Sequence, residues 1–266
     1  MNIKTINTDT YNQIRFSDDG QGQCLVLLHG YLEAMESWQP FSDELSKQQR
    51  VITIDLPGHG KTSFSSEELT IEQMADAVYS VLEHADVKKA VIIGHSMGGY
   101  VTLAFAKKYP QKTAAFCLFH SHPFADIPAT ANNRLREIDL IQKGKKKLIV
   151  ETSVPKGFAN SNLERFKTQI ENATQIAKQT TDTGIIAALT AMKNRPSSAD
   201  WLQGTDIPFL YIIGKQDNYI PIEMLDKISF PENTTICILE NSGHSGFIEE
   251  PETSLAAVLK FIETIP

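Results

Sequence analysis

Ser96 stands in Gly94-His95-Ser96-Met97-Gly98, a G-x-S-x-G pattern, between the strand-like run "AVIIGH" and a helical run that ends in "FAKKYP". Where a strand turns straight into a helix, the residue at the corner is forced into a strained backbone conformation, and the positions two before and two after it are crowded. Gly94 and Gly98 supply the room, and Gly99 adds more. A serine at such a corner projects its hydroxyl past the end of the strand, where it can act as a nucleophile. The spacing alone is a common coincidence; the strand before it and the helix after it give it force.

A serine hydroxyl is a weak nucleophile near neutral pH, so a base must take its proton and a third group must orient that base. His244 in "ENSGHSGFIEEP" is the candidate base, in a loop between the last strand-like run and the terminal helix. The other histidines have local explanations: His29 ends a strand, His59 lies in a glycine turn, His84 closes a helix and His95 flanks the serine. His120 and His122 follow a strand and are placed to line a pocket. For the orienting carboxylate, Asp217 in "YIIGKQDNYIP" is favoured over Asp126 in "HSHPFADIP", because the Asp217 loop adjoins the final strand and the loop carrying His244. Charge developing on an attacked carbonyl oxygen needs donors. The backbone N–H of Met97, at a helix N-terminus, and that of Tyr31, after "LVLLHG", are the expected pair.

These groups need a scaffold, and the pattern supplies one. "CLVLLHG", "RVITID", "AVIIGH", "TAAFCLFH", "PFLYIIG" and "TTICILE" are short apolar runs of the kind buried on both faces of a parallel sheet. Helical periods lie between many of them. In "TIEQMADAVYSVLEHA" the apolar residues recur at helix spacing behind a Thr70/Gln73 capping box, and Pro251 opens a terminal helix. The alternation predicts an α/β fold. From residue 122 to 182 it stops, and polar helical segments replace strands, so we expect a core of residues 1–121 and 183–266 with a helical cap insertion over 122–182. The "KGKKK" cluster inside that insertion reads as solvated surface.

The 266 residues are 41% hydrophobic and carry a formal net charge of −7, enough for a full core and the wrong sign for a general nucleic-acid binder. No apolar run approaches the length of a membrane span, and "MNIKTINTDT" is too polar for a signal peptide, so a cytoplasmic protein is expected. Cys24, Cys117 and Cys237 sit in apolar runs without metal-ligand or pairing spacing and read as buried small hydrophobes. A small-molecule substrate is the expected partner, with neither nucleic acid nor membrane.

The stretches "LVLLHGYLEAMESWQPF", "RVITIDLPGHGKT", "VIIGHSMGGYVTLAFAKKYP", "PFLYIIGKQDNYIP" and "ENSGHSGFIEEPE" together resemble the α/β-hydrolase superfamily, in its esterase, lactonase and C–C hydrolase branch. The order Ser96, Asp217, His244 matches that family's order of nucleophile, acid and base. The resemblance implies an eight-stranded, mostly parallel sheet, a cap over the active site and no cofactor. It also implies that "DLPGHGKT", with Asp55, Gly58 and Gly60, is a structural turn. Relatives with an aspartate nucleophile are disfavoured by Ser96, and Tyr31-Leu32 departs from the HGGG loop of some lipases. The expected function is hydrolysis of a small carboxylic ester, lactone or thioester through an acyl-enzyme. A C–C hydrolase of vinylogous diketones and a ligand sensor on the same fold remain alternatives. Tyr31, Trp38, Met97, His122, Phe124 and Phe247 are the expected pocket walls.

Overall fold

The computed structural model describes residues 1–64 and 68–265. Its strands are β1 (Ile3–Ile6), β2 (Ile14–Asp19), β3 (Cys24–Leu28), β4 (Arg50–Ile54), β5 (Ala90–His95), β6 (Thr113–Phe119), β7 (Phe209–Gly214) and β8 (Thr234–Leu239). They form one sheet in the order β1-β2-β4-β3-β5-β6-β7-β8, in which β2 alone runs antiparallel to its neighbours. Helices α1 (Gln39–Leu45), α2 (Ile71–His84), α3 (Met97–Lys108) and, at the end of the chain, α9 (Gly246–Glu249) and α10 (Pro251–Ile262) accompany the sheet. Between β6 and β7 lie α4 (Pro128–Gln142), α5 (Lys146–Lys156), α6 (Lys167–Gln179), α7 (Asp182–Asn194) and α8 (Ala199–Gln203). In this segment α4 packs on α7 and α5 on α6. Among the described residues no helix is long and apolar enough to cross a membrane.

Alternation along the central strands divides the core in two. Leu25, Leu27, Val91 and Ile93 pack with Trp38, Phe41 and Leu45 around α1 and with Val258, Phe261 and Ile262 of α10. Val26, Leu28 and Ile92 point the other way, against Met74, Val78 and Leu82 of α2 and Val101 and Phe105 of α3. Helices on both faces explain why β3, β5 and β7 are buried at every position. The predicted capping box is present: Gln73 N–H donates to Thr70 Oγ1 at 3.1 Å, and Thr70 N–H donates to Gln73 Oε1 at 2.9 Å.

Two sequence expectations change at the edges. β8 closes the sheet, so it is covered on one side only, leaving Ile236 and Ile238 at 45% and 40% exposure and Cys237 half-buried instead of buried. β1 and β2 are absent from the apolar runs read in the sequence. The polar groups of β2 are nevertheless buried and partnered: Ser17 Oγ meets Thr53 Oγ1 at 2.9 Å, and the Arg15 guanidinium binds Glu36 and Asp55.

Asp55, at the end of β4, is fully buried and organises the turn that follows. Its carboxylate accepts from Met35 N–H and Lys61 N–H, each at 2.9 Å, and from Arg15 Nη1 at 3.0 Å. Asp55→Ala therefore leaves three donors behind, one of them a buried cation. A loss of about 3 kcal/mol of stability in urea unfolding is expected.

The order of the sheet fixes where a site can form. From β3 the chain moves outward to β4 and then returns to the opposite side of β3 for β5. The carboxyl ends of β3 and β5 thus flank a point where the winding reverses, and a crevice opens there.

Candidate active site

Ser96 closes β5 and sits at φ +49°, ψ −113°, outside the regions that side-chain-bearing residues ordinarily occupy. Three contacts hold it. Its N–H donates to Phe119 O at 3.0 Å, and its carbonyl accepts from Ser121 Oγ at 2.8 Å and from Gly99 N–H at 2.9 Å. The flanking glycines are needed for close approach: a Cβ on Gly94 would lie 2.2 Å from Gly98 O, and one on Gly98 would lie 2.3 Å from Leu28 O. The bend therefore rests on β3, β5 and β6 together.

Asp217 follows β7 in a turn and is 8% exposed. Its Oδ1 accepts from Tyr219 N–H at 2.7 Å and Ile220 N–H at 2.9 Å, which fixes the plane of the carboxylate. Its Oδ2 faces two imidazoles, His244 Nδ1 at 2.7 Å and His120 Nδ1 at 3.2 Å. Burial by itself would raise the carboxyl pKa, but the charge and hydrogen bond of His244 and the hydrogen bond of His120 drive it well below the usual carboxylate range. Asp217 is thus an anion at any ordinary pH.

His244 is held by its backbone as well as its ring. Its N–H donates to Gly157 O at 2.8 Å, and its carbonyl faces His95 Nε2 at 2.8 Å. Beside it, Glu249 is 3% exposed and accepts from Gly243 N–H at 2.7 Å and from Ala159 N–H and Asn162 Nδ2 at 2.8 Å each. The segment after α5 is thereby joined to the His244 loop. It is joined to the Asp217 loop too, through Asn218 Nδ2 to Phe158 O at 3.0 Å, and α5 itself is joined there through Tyr219 Oη to Ser153 O at 2.8 Å.

His120 lies elsewhere than expected. It is fully buried behind Asp217 and does not line the cavity. Gly246 N–H donates to its Nε2 at 3.1 Å, so the ring proton belongs on Nδ1, toward Asp217. Burial lowers its pKa to about 4 despite the carboxylate, keeping the ring neutral. The ligand atoms of His120, Asp217 and His244 lie within 4.8 Å of one another, close enough for a metal ion. In that tautomer Nδ1–H is committed to Asp217 and Nε2 to Gly246 N–H, so an ion there would displace existing bonds. The one available signal for His120 was its place directly after β6, in register with Ser96 after β5. His120→Phe is expected to fold and to lower kcat roughly 10- to 100-fold with KM little changed, measured on an activated ester, because it frees the carboxylate that aims His244.

Ser96 and His244 open into a cavity of about 1250 Å³ under the helices between β6 and β7. Tyr31, His122, Phe124 and Phe247 line it. Trp38 does not: it is fully buried in the core, with ring centroids 4.4 Å from Phe247 and 5.9 Å from Phe119, because its large apolar surface is better covered there than at a wet wall. Met97, the first residue of α3, is likewise fully buried and does not line the cavity. Burial, reinforced by the charge of Arg195, lowers the His122 pKa to about 3. Asp126, the rival carboxylate, is committed to Arg134 and to Arg195, whose Nη1 lies 2.6 Å from its Oδ1. Tyr31 Oη reaches Glu137 Oε2 of α4 at 3.4 Å, a contact across the mouth of the crevice.

A family model described as alpha/beta hydrolase fold matches residues 23–251. Among solved structures, a thermophilic esterase from Thermogutta terrifontis superposes with a TM-score of 0.92 at 28% identity, covering 100% of this chain and 99% of that one. The (E)-2-((N-methylformamido)methylene)succinate hydrolase of Acinetobacter baylyi is 23% identical over 270 residues, 99% of each chain. The pimeloyl-[acyl-carrier protein] methyl ester esterase of Proteus mirabilis is 26% identical over 280 residues, 96% of this chain and 98% of its own.

Proposed function

Because the chain belongs to the α/β-hydrolase fold family and is a hydrolase by its relatives, we propose that it cleaves a small carboxylic ester, lactone or thioester through an acyl-enzyme on Ser96. One observation carries the reading. A serine strained at φ +49° opens into the same cavity as a histidine whose far nitrogen is bound to a buried carboxylate. His244 takes the Ser96 proton as the hydroxyl attacks the carbonyl carbon, then returns it to the leaving oxygen or sulfur. Asp217 holds the His244 proton on Nδ1, leaving Nε2 free to act as base. The amides of Met97 and Tyr31, neither with an intramolecular acceptor among the described residues, receive the developing oxyanion. Water activated by the same imidazole releases the acid.

The helices between β6 and β7 act in this scheme as a cap that limits substrate size and excludes bulk water. The test is turnover of p-nitrophenyl esters of increasing acyl length, with Ser96→Ala beside the wild type. Loss of activity in the variant supports the serine mechanism, and the length profile sizes the acyl side of the cavity. No turnover by a folded wild type would overturn the ester reading and favour the C–C bond hydrolysis that the same three residues serve.

A further inference from the structure

His95, one residue before Ser96, has a side chain 2% exposed and two partners that can only accept. Its Nε2 lies 2.8 Å from the carbonyl oxygen of His244. Its Nδ1 lies 3.0 and 3.1 Å from the two carboxylate oxygens of Glu33, in the turn after β3. A neutral imidazole has one N–H and can satisfy one of these partners; satisfying both takes a proton on each nitrogen. Gly30 N–H donates to Glu33 Oε2 at 2.6 Å, a bond that favours the carboxylate. The turn is built around the pair: a Cβ on Gly30 would lie 2.9 Å from His95 Nδ1 and 3.1 Å from Glu33 Oε2.

We infer that His95 is a standing imidazolium, ion-paired to Glu33, and that the pair positions the catalytic machinery from beneath by tying the His244 carbonyl to the Gly30–Tyr31 turn. The charge on His95 is independent of the function proposed above; the catalytic consequence rests on it. Around His95, Glu33 faces it from the β3 turn and Asp217 from the β7 turn, while the His120 and His244 rings lie 6.0 and 4.9 Å away, centroid to centroid. Trp38, Phe119 and Phe247 complete its surroundings with apolar contacts. Burial opposes the charge, but Glu33, through its charge and hydrogen bond, outweighs burial and keeps the imidazole above its ordinary range. For Glu33, burial is outweighed in the same way by His95, and its pKa falls to about 2.

The linkage signs follow. Stability from Glu33 is present above its ordinary 4.5 and is lost as pH falls through about 2. Stability from His95 is full below its ordinary 6.5 and is lost only as pH rises through its elevated value. The pair therefore contributes most between these ordinary values.

Glu33→Gln is the informative variant, because it keeps the shape and the hydrogen bonds while removing the charge. The amide N–H of the new side chain can donate to Nδ1 of a neutral His95, its oxygen can accept from Gly30 N–H, and Nε2–H still serves His244. With histidine labelled with nitrogen-15, one of the seven rings in the wild type is expected to show two protonated nitrogens at pH 7, and that ring is expected to be neutral there in Glu33→Gln. A wild type with no such ring at pH 7, or a variant whose spectrum keeps it, overturns the imidazolium; should the variant fail to fold, the wild-type spectrum alone decides. Melting curves are expected to show the wild-type advantage over Glu33→Gln shrinking below pH 4.5, and an advantage that persists unchanged to pH 2 contradicts the ion pair. For the positioning role, Glu33→Gln is expected to lower kcat about tenfold with KM little changed. Equal kcat with the imidazolium signature gone rejects that role. An inactive wild type that still shows the signature counts against the ester reading and leaves the charge assignment standing.

Discussion

Ser96→Ala is expected to yield a folded protein that hydrolyses p-nitrophenyl esters at least 10³- to 10⁴-fold more slowly than the wild type, by an order-of-magnitude estimate from serine hydrolase triads. The contacts that hold the corner are made by the backbone of residue 96, not by its side chain: Phe119 O accepts its N–H, and Ser121 Oγ and Gly99 N–H donate to its carbonyl. Alanine inherits all three, and with them the cost of φ +49°. The melting temperature should therefore move by only a few degrees. The amides of Met97 and Tyr31 and the cavity survive, so a small residual rate above water is part of the expectation. Near-normal turnover by the variant would remove Ser96 from the chemistry and the acyl-enzyme with it. A quantitative check is the burst of p-nitrophenol at high enzyme concentration, one equivalent per active wild-type molecule and none in the variant.

The second large effect is expected from Asp217→Asn, about 10⁴-fold in kcat by analogy with acid-to-amide changes in triads generally. The backbone amides of Tyr219 and Ile220 both donate to Oδ1, so the new side chain will keep its oxygen on that side. Its NH₂ then faces His244 Nδ1 and His120 Nδ1 at once. Both rings must turn acceptor at Nδ1 and carry their proton on Nε2. For His244 this places a proton where the Ser96 hydrogen must go. For His120 it exchanges acceptance from Gly246 N–H at Nε2 for acceptance from Gly214 N–H, 3.1 Å from Nδ1, so stability should change little at that ring. Loss of kcat accompanied by a shift of the proton from Nδ1 to Nε2 on two histidine rings, read by nitrogen-15 spectroscopy, distinguishes the two-imidazole arrangement from an ordinary triad acid, for which one ring alone would change.

The parallel centre of the sheet was readable because burial on both faces leaves uninterrupted apolar runs, as in "VIIG" of β5 and "FLYIIG" of β7. β2 escaped because its inward polar residues, Arg15 and Ser17, find partners on β4, on the turn after it and in Glu36, and such partners leave no periodic trace. β8 was legible as a strand but not as an edge, since edge position depends on what the rest of the chain covers. Ser96, Asp217 and His244 stood out because each follows a strand within a recognisable turn. Glu33 and His120 did not, because their roles depend on partners 62 and 97 residues away. Trp38 was misplaced for a related reason: an aromatic near a strand end suits a wall and a core equally well until the neighbours are known.

The bonds from Gly157, Ala159 and Asn162 to the His244 loop give the helical insertion a second meaning. An insertion that merely roofs a cavity can be trimmed or exchanged between relatives to change what enters. Here residues 157–162 supply the acceptor for the His244 N–H and two of the donors that satisfy Glu249, so excising or swapping the whole insertion would also unseat the His244 loop and strand a buried carboxylate. For protein engineering, the stretch that follows α5 has to stay with the His244 loop.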